Sequence, residues 1–438
     1  MEADEPGAAG GRPARRPTRR SVLGGALGIS LGLPLAAGPG LPSVRAAPAP
    51  EPIRLRRGIN LWPWFALTRE FPAPRIDYAW PPFQDQRPIP TPRDLSRLAE
   101  SGLDFVRLPV DPGPFLAFTG ARRAALLADL DAAVAAILDA RLSLVLNVQA
   151  NVSTHYYNPA NLVADARAPL FPAYRDLVAE LARRLARHDR RRVALEPVNE
   201  PPQACGAAAW DSVQASLLIS ARAAAPDLTL VATGACGSMI RGLAALDPAP
   251  LRGLRPLIYS FHFYEPYLFT HQGAPWMQEP IYRALNAVPW PASAGRLDAT
   301  LAAVRVQMRG DAGRSDAEKA KAYRLTEAKL AEYFAARPDR GFIDRQFADI
   351  RDWATRHAIP EREILMGEFG ALRSDHRYVA AGDADRARYV RDVRESAEAF
   401  GFPWAFWNLF DGMGLIDDDT RIADPALLSA LGLTPSAR

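Results

Sequence analysis

Short apolar runs alternate along the chain with longer amphipathic stretches. Eight of the runs have the length and composition of buried strands. These predicted strands are Arg57–Asn60, Leu103–Leu108, Leu142–Val148, Val193–Val198, Leu228–Ala232, Leu257–His262, Ile364–Glu368 and Phe402–Trp407. Between them, apolar residues recur at helical spacing, most clearly over Ala121–Ala140, Phe171–Arg187 and Asp385–Phe400.

This alternation predicts parallel β/α units, and eight strands are the number that closes a (β/α)8 TIM barrel of the α/β class. The alternative is an open doubly wound sheet, which is expected to carry a Gly-rich phosphate-binding turn after its first strand. Here the first strand runs into Asn60-Leu61-Trp62-Pro63-Trp64, which cannot cradle a pyrophosphate. The pattern therefore favours the barrel.

Two predicted connections are unusually long. Leu61–Pro90 follows the first strand and is rich in aromatic residues and Pro, and Phe263–Gly341 follows the sixth and contains a helical stretch at Ser315–Phe334. Neither resembles an independent domain, so we predict one barrel domain over residues 48–438 with an insertion at about 265–340. Because both connections follow strands, they lie on the C-terminal face, where barrels carry their active sites.

The first 47 residues have the layout of a twin-arginine export signal. Arg19 and Arg20 precede the apolar run Val22–Ala37, and small residues follow at Ala46 and Ala47. Because the run is short and is interrupted by Gly and Pro, a cleaved signal is favoured over a membrane anchor. We predict export to the periplasm or the exterior, a mature chain that begins near Ala47, and no stable membrane insertion after cleavage.

Composition narrows the class of protein further. Of the 438 residues 48% are apolar and 23% are charged, as in packed soluble proteins, which excludes a disordered or fibrous chain. The net charge is +4, of which the leader supplies +3 (six Arg against three acids), and the remainder is too small for a nucleic-acid-binding surface. Cys205 and Cys236 are either bridged, as an oxidising compartment would allow, or unpaired.

Two glutamates end predicted strands on opposite sides of the barrel. Glu200 follows the fourth strand in Asn199-Glu200-Pro201, and Glu368 ends the seventh in Met366-Gly367-Glu368. Hydrolysis of a glycosidic bond needs such a pair, because one carboxyl group protonates the leaving oxygen and the other attacks the anomeric carbon. Either glutamate alone could be a surface or ion-paired residue, so the prediction depends on the pair.

The other residue types and motifs of the sequence fit a saccharide substrate better than other classes of substrate. Six His are scattered singly, and there is neither a Gly-rich phosphate loop nor a G-x-S-x-G motif, so we expect no metal and no cofactor. Sugar rings stack on aromatic side chains, and six of the nine Trp map to the C-terminal face, with two or three of them expected to pack the loops instead. These six are Trp62, Trp64, Trp80, Trp276, Trp290 and Trp407.

The motifs at successive strand ends together resemble glycoside hydrolase family 5, the cellulase family of retaining (β/α)8 barrels. The resemblance runs from about Arg57 to Asp411. Besides the two glutamates, the matching segments are Arg57-Gly58-Ile59-Asn60, Phe105-Val106-Arg107-Leu108-Pro109-Val110, Ser260-Phe261-His262-Phe263-Tyr264 and Trp407-Asn408. The resemblance implies that Glu200 is the general acid/base, that Glu368 is the nucleophile, and that Asn199 binds the 2-hydroxyl of the sugar.

The resemblance also implies supporting roles for four other residues. Arg107 and Tyr264 would keep the nucleophile ionised and oriented, since a nearby cation lowers the pKa of a carboxyl group. His262 would lie near the acid/base, and Trp407 would form the floor under the sugar at the cleavage point. Each has a structural alternative: an ion pair for Arg107, a core histidine for His262 and core packing for Trp407.

One position departs from the family pattern. Gln149, in Val145-Leu146-Asn147-Val148-Gln149, stands where the family usually has a histidine. An amide can bind a sugar hydroxyl but cannot titrate. His155 either reaches back to this place or is loop surface, so the details of sugar binding stay open.

The sequence therefore predicts a secreted retaining glycoside hydrolase that cleaves β-glycosidic bonds of a polysaccharide by double displacement. An endo-β-1,4-glucanase is favoured. The alternatives are an exo-acting β-1,3-glucanase, a mannanase and an exopolysaccharide-trimming hydrolase or transglycosylase, and the long insertion could wall off one end of the cleft. A non-catalytic carbohydrate-binding barrel is disfavoured because both glutamates are present. The absence of a heptad pattern leaves the oligomeric state unpredicted.

Overall fold

The structure is a computed structural model that describes residues 51–435. Its strands are β1 (Arg57–Asn60), β2 (Thr68–Glu70), β3 (Tyr78–Phe83), β4 (Phe105–Val110), β5 (Ser143–Val148), β6 (Val193–Glu196), β7 (Thr229–Thr233), β8 (Leu257–Phe263), β9 (Ile364–Phe369) and β10 (Trp404–Phe406). Eight of them, β1 and β4 to β10, form a closed parallel barrel in chain order, in which β10 pairs with β1. The predicted TIM barrel is confirmed, and an open sheet is excluded.

Helices follow the barrel strands and cover the outside of the barrel. They are α1 (Pro92–Glu100), α2 (Pro112–Ala117), α3 (Gly120–Asp139), α4 (Pro159–Val163), α5 (Phe171–Leu185), α6 (Ala208–Ala224), α7 (Ile240–Ala244), α8 (Tyr267–Thr270), α9 (Leu297–Gly310), α10 (Asp316–Ala336), α11 (Arg340–His357), α12 (Asp383–Ala399) and α13 (Pro425–Ala430). Short 3-10 turns lie at Ala249–Leu254, Tyr282–Ala284, Ala292–Ala294 and Glu361–Glu363. None of the helices within residues 51–435 is long and apolar enough to cross a membrane.

Two layers of side chains fill the barrel. Successive side chains of a strand point to opposite faces, so every second residue points inward. The lower layer is an apolar cluster, with one residue each from seven strands: Phe105, Val145, Ala194, Val231, Ile258, Leu365 and Ala405. The inward positions two residues further on form a buried polar layer, made of Asn60, Arg107, Asn147, Glu196, Thr233 and Ser260. The apolar layer thus seals the barrel, and the polar layer is the floor of its C-terminal mouth.

The two long connections both contain secondary structure. The first holds the antiparallel β2–β3 pair, which the sequence analysis did not predict. The insertion holds α8, α9 and α10, of which only the last was predicted, and Ser315 begins α10 with a capping box to Glu318. Trp290 of the insertion is fully buried and donates to Asp392 of α12 at 2.8 Å, so this Trp packs a loop and does not line a cleft.

The predicted export signal and leader, residues 1–47, lie outside the described residues.

Candidate active site

Glu200 and Glu368 face each other at the C-terminal mouth of the barrel. A carboxylate oxygen of each and a ring nitrogen of His262 all lie within 4.8 Å of one another. The Glu368 side chain is 5% exposed, whereas that of Glu200 is 41% exposed. One carboxyl group is therefore buried in the floor of the mouth, and the other stands at its edge.

A β-bulge directs Glu368 into the mouth. Phe261 of β8 pairs with Met366 of β9, but the next residue, His262, pairs with Glu368, so Gly367 is one extra residue on β9. A Cβ atom at Gly367 would lie only 2.7 Å from Ser260 Oγ. Glycine therefore allows β8 and β9 to approach closely at the bulge, and the bulge moves the next side chain into the site.

The backbone at Glu200 adopts a left-handed conformation with φ of 43°. A non-glycine residue in this region is strained by about 1–2 kcal/mol. The turn is held on one side by the Asn199 N–H, which donates to Val148 O at 2.9 Å, and on the other by Gly237 N–H, which donates to Pro201 O at 2.9 Å. Contacts on both sides of Glu200 thus maintain the conformation that presents its carboxyl group.

A disulfide lies close to this turn. Cys205 and Cys236 are bridged, with their Cα atoms 4.9 Å apart, which decides the question that the sequence left open. The bridge joins the connection after β6 to the connection after β7, and Cys236 N–H also donates to Gln203 O at 2.7 Å. The segment that carries Glu200 is therefore attached covalently to its neighbour.

Arg107 lies in the buried polar layer, and each of its donor groups faces a site residue. Its Nε donates to Glu196 at 2.6 Å. Nη1 donates to Glu368 at 2.7 Å and to Asn60 at 2.9 Å. Nη2 donates to Asn199 at 2.8 Å and lies 3.5 Å from Nε2 of His262. A guanidinium has five N–H bonds, and all five are accounted for by these partners.

The contacts of His262 indicate its protonation. Arginine cannot accept a hydrogen bond, so Nε2 of His262, facing Arg107, must present its lone pair. The proton of the neutral ring is then on Nδ1, which lies 2.9 Å from Glu200 Oε1 and 3.6 Å from Glu368 Oε2. His262 therefore donates to the Glu200 carboxylate and sits between the two glutamates.

Burial raises the pKa of Glu368 above its ordinary value. Electrostatic interactions with His262 and with Arg107 oppose this rise, the charge of Glu200 adds to it, and a hydrogen bond from the Tyr264 hydroxyl at 2.9 Å opposes it. Burial also raises the pKa of Tyr264 well above its usual value, so this hydroxyl remains a donor. The residues expected to surround Glu368 do contact it.

Asn199 and Trp407 lie beside the pair. The Asn199 carbonyl oxygen is occupied by Arg107, which leaves the NH2 side of its amide to face a ligand. Trp407 is half-buried, and its ring centroid lies 5.5 Å from that of Trp62 in the first long connection. Trp407 also packs against the apolar cluster that contains Tyr264, the residue that donates to Glu368.

The structure does not bring Gln149 or His155 into contact with the glutamate pair. Gln149 follows β5, and its side-chain oxygen has no hydrogen-bond partner among the described residues. The His155 ring pairs with Glu70 of β2 at 3.1 Å, and the His155 N–H donates to the same carboxylate. His155 thus binds the first long connection and does not take the place of the family histidine.

Glu200, His262 and Glu368 are also the residue types that hold metal ions, and within residues 51–435 they form the one cluster of three such groups. The neighbouring Arg107 bears a positive charge and already occupies Glu368 Oε1. This set therefore fits a metal ion poorly.

Two residues of the site had no role in the sequence analysis. Glu196 binds Arg107, and Asn60 accepts from Arg107 while its amide donates to Gly367 O at 3.0 Å. Strand alternation could have found both, because they occupy the inward position two residues above Ala194 and Gly58, respectively.

Comparison with known proteins agrees with this geometry. Residues 80–412 match the cellulase family, glycosyl hydrolase family 5. Endoglucanase 3 of Fibrobacter succinogenes is 25% identical over 357 residues, which are 78% of this chain and 49% of that protein. The chain thus spans about half the length of this relative.

Solved structures of similar shape support the fold. Cel5A of Thermotoga maritima in complex with cellobiose has a TM-score of 0.61 at 20% identity, covering 86% of this chain and 97% of that one. The cellulose synthase subunit Z of Clostridioides difficile has a TM-score of 0.61 at 19% identity, covering 86% and 99%. Since the family match extends over most of the sequence, the chain belongs to the cellulase family, glycosyl hydrolase family 5.

Proposed function

We propose that the protein is an exported retaining β-glycosidase that cleaves β-1,4-glucan at internal bonds, with Glu368 as nucleophile and Glu200 as general acid/base. The observation that carries this proposal is the separation of the two carboxyl groups, whose oxygens approach within 4.8 Å. Retaining enzymes hold the pair about 5–5.5 Å apart, whereas inverting enzymes leave about 6.5–9.5 Å for a water molecule.

The reaction takes place in two displacements. Glu368 attacks the anomeric carbon as the bond to the leaving oxygen breaks, and Glu200 gives its proton to that oxygen. The ionised Glu200 then removes a proton from water, whose oxygen attacks the anomeric carbon and releases Glu368. No cofactor takes part, and the two glutamates end each cycle in their starting protonation states.

The neighbouring residues support these two roles. Arg107 and Tyr264 stabilise the Glu368 anion through one N–H and one O–H hydrogen bond to its two carboxylate oxygens. His262 donates to Glu200 once that carboxyl group has lost its proton. Asn199 presents its amide to the sugar 2-hydroxyl, Trp407 lies under the ring, and Gln149 offers an amide to a more distant hydroxyl.

Two similar proteins favour a β-1,4-linked glycan as substrate. The Fibrobacter succinogenes protein is named an endoglucanase, and the Thermotoga maritima enzyme was solved with cellobiose and with mannotriose. A mannan is therefore the second candidate. A wall formed by the insertion would instead favour exo-action, and an acceptor sugar that outcompetes water would make the enzyme a transglycosylase.

Two features support export. Arg19-Arg20 precede an apolar run, as in twin-arginine signals. The Cys205–Cys236 bridge is a bond that persists in oxidising compartments such as the periplasm.

A panel of soluble β-1,4-glucan, β-1,3-glucan and mannan, with product sizes followed over time, tests the proposed substrate. We expect mixed oligosaccharides from β-1,4-glucan at early times and a β-configured product by NMR. Release of a single short product would indicate exo-action, and an α-configured first product would contradict retention. Addition of cellobiose as an acceptor, with longer products as the readout, distinguishes a transglycosylase from a hydrolase.

A further inference from the structure

The Arg107–Glu196 ion pair lies beneath the candidate catalytic residues and is more deeply buried than they are. Both side chains have no exposed surface, and the Nε to Oε2 distance is 2.6 Å. Glu196 is four residues before Glu200, at the C-terminal end of β6, and it does not contact Glu200 or Glu368 among its hydrogen bonds. Burial of a third carboxylate here is costly unless its charge is paired.

We propose that Glu196 is a positioning residue that orients the guanidinium of Arg107 and shares its positive charge with Glu368. This inference rests on the proposed role of Glu368 as nucleophile. Glu196 has no role in the reaction scheme above, because it does not touch the reacting atoms.

The orientation follows from the shape of the guanidinium. The group is planar, so fixing Nε and its direction determines where Nη1 and Nη2 lie. When Nε of Arg107 donates to Glu196, Nη1 faces Glu368 and Nη2 faces Asn199. One buried carboxylate thus sets the positions of the donor to the nucleophile and the donor to the sugar-binding amide.

The sharing of charge follows from the number of ions. Arg107 brings one positive charge, and Glu196 and Glu368 each bring a negative one when ionised. The other groups facing Glu368 are the His262 ring, the neutral Tyr264 hydroxyl and the carboxyl group of Glu200. Tyr174 lies near Glu196, but its hydroxyl donates to Pro197 O, and burial raises its pKa, so it stays neutral. Arg107 therefore stabilises the Glu368 anion less than it would without Glu196.

The experiment uses a probe that isolates the attack by Glu368. 2,4-Dinitrophenyl 2-deoxy-2-fluoro-β-cellobioside forms a bond from the Glu368 oxygen to the anomeric carbon, and dinitrophenolate leaves with the electron pair. This leaving group needs no proton, so the acid limb of the inactivation rate against pH reports the ionisation of Glu368 and not that of Glu200. Mass spectrometry of the digested protein locates the label.

In Glu196→Gln the amide oxygen still accepts from Nε, but the negative charge is gone. We expect the acid limb to move to lower pH by about one unit, because Arg107 then acts on Glu368 alone. Glu196→Asp keeps the charge but shortens the side chain, which draws Arg107 away from Glu368. We therefore expect an acid limb at higher pH than that of the wild type and a plateau rate at least about tenfold lower.

A matched control is Glu363→Gln, because Glu363 directly precedes β9 and so lies at the other end of this strand from Glu368. Glu363 is also buried, and it accepts from Arg255 at 2.8 and 3.0 Å. We expect this variant to lose stability to heat without moving the acid limb, which separates the loss of an ion pair to a buried carboxylate from an effect on Glu368.

The outcomes distinguish this inference from the proposed function. A label on Glu368 with an unmoved acid limb in Glu196→Gln overturns the inference alone. If Glu196→Gln does not fold, Glu196→Asp decides the matter, and a wild-type plateau rate in that variant overturns the inference. A label on another residue overturns the proposed function and the inference together.

Discussion

Arg107 determines how the two glutamates can act, because it touches one of them directly and the other through His262. Its bond to Nε2 of His262 leaves the Nδ1 proton of that ring to Glu200. The Glu200 anion that forms when the leaving group departs therefore has a donor already in place. The two roles proposed for the glutamates are linked through one guanidinium and one imidazole.

Replacement of Glu368 by Ala removes the nucleophile, so we expect kcat to fall about 10⁴-fold or more. Activity on carboxymethyl cellulose measures the loss, and an unchanged circular dichroism spectrum shows that the barrel remains folded. Near wild-type activity in Glu368→Ala would show that another group attacks the sugar.

Replacement of Glu200 by Ala removes the acid/base but leaves the nucleophile. We expect kcat on natural glucan to fall about 10²- to 10⁴-fold, whereas dinitrophenyl cellobioside should still form the glycosyl-enzyme at a near-normal rate. Added azide should restore turnover of the activated substrate and give a β-glycosyl azide. Equal loss on both substrates, with no effect of azide, would contradict the assignment.

The pH dependence of kcat/KM follows from the burial of Glu368. Burial raises its pKa, and attack requires the anion, so activity is lost as the pH falls through that raised value. The acid limb should lie above about 4.3, the ordinary pKa of glutamate. In Tyr264→Phe the anion loses one hydrogen bond, so the limb should move further up. An acid limb at or below the ordinary value would contradict this reasoning.

The sequence was sufficient to predict most of the residues that meet at the site, but it gave no role to Glu196 or Asn60. Arg107, His262 and Tyr264 were expected near the glutamates, and each of them contacts one or both. The role of Glu196 was missed because an acid next to Arg107 in space is far from it in the chain. Which carboxylate binds which nitrogen depends on the rotamers of side chains on β4, β6 and β9, which are not neighbours in the barrel.

At the scale of elements, the bulge in β9 turns the Glu368 side chain into the mouth of the barrel, where it faces Glu200. Strict alternation from the inward Leu365 would place Gly367 inward and Glu368 outward, toward the helices. The extra residue reverses this, so Glu368 faces Arg107. A sequence pattern of period two cannot reveal such an insertion, and the prediction that Glu368 faces the mouth depended on the motif.

Substitution of Gly367 by Ala tests the close approach at the bulge. The new methyl group would meet Ser260 Oγ at 2.7 Å and His262 Nε2 at 3.2 Å, so we expect a loss of about 1–3 kcal/mol in the free energy of unfolding, with lowered activity. Urea unfolding measures the loss. Gly253→Ala is the control, because nothing lies within 4 Å of that Cβ position. Equal behaviour of the two variants would argue against the proposed crowding.

The disulfide stabilises the connections after β6 and β7. Cys205 and Cys236 are 31 residues apart, for which loop entropy gives about 3–4 kcal/mol. We expect the double Ser variant to unfold at lower urea concentration by this amount, and dithiothreitol to have the same effect on the wild type. If reduction leaves the midpoint unchanged, the bridge contributes little to stability.

Strand and helix positions were largely predictable from the hydrophobic pattern. The β1 strand was predicted at its observed bounds, and α3 and α5 begin within one residue of the expected starts. The β2–β3 pair was missed because Thr68–Glu70 is short and polar, so no apolar run marks it. Helix α9 was missed because its apolar residues are interleaved with Arg and Gln on the exposed side.

The whole molecule combines a barrel with a leader that has the features of an export signal. If the twin-arginine route is used, Arg19→Lys together with Arg20→Lys should keep the protein in the cytoplasm in a form that retains the leader. Fractionation of cells and mass spectrometry of the N-terminus measure both effects, with the wild type expected to begin near Ala47 outside the inner membrane. Unchanged export of the double variant would exclude this route.

The pairing of β10 with β1 gives the barrel a property that concerns its synthesis. In the floor of the site, Asn60 of the first strand forms hydrogen bonds with Arg107 and with Gly367 of β9. The ring is complete only when Trp404–Phe406 pair with β1. A nascent chain must therefore emerge from the ribosome almost to its last strand before any hydrolytic centre exists. Chains truncated before Trp404 lack the strand that closes the ring onto β1.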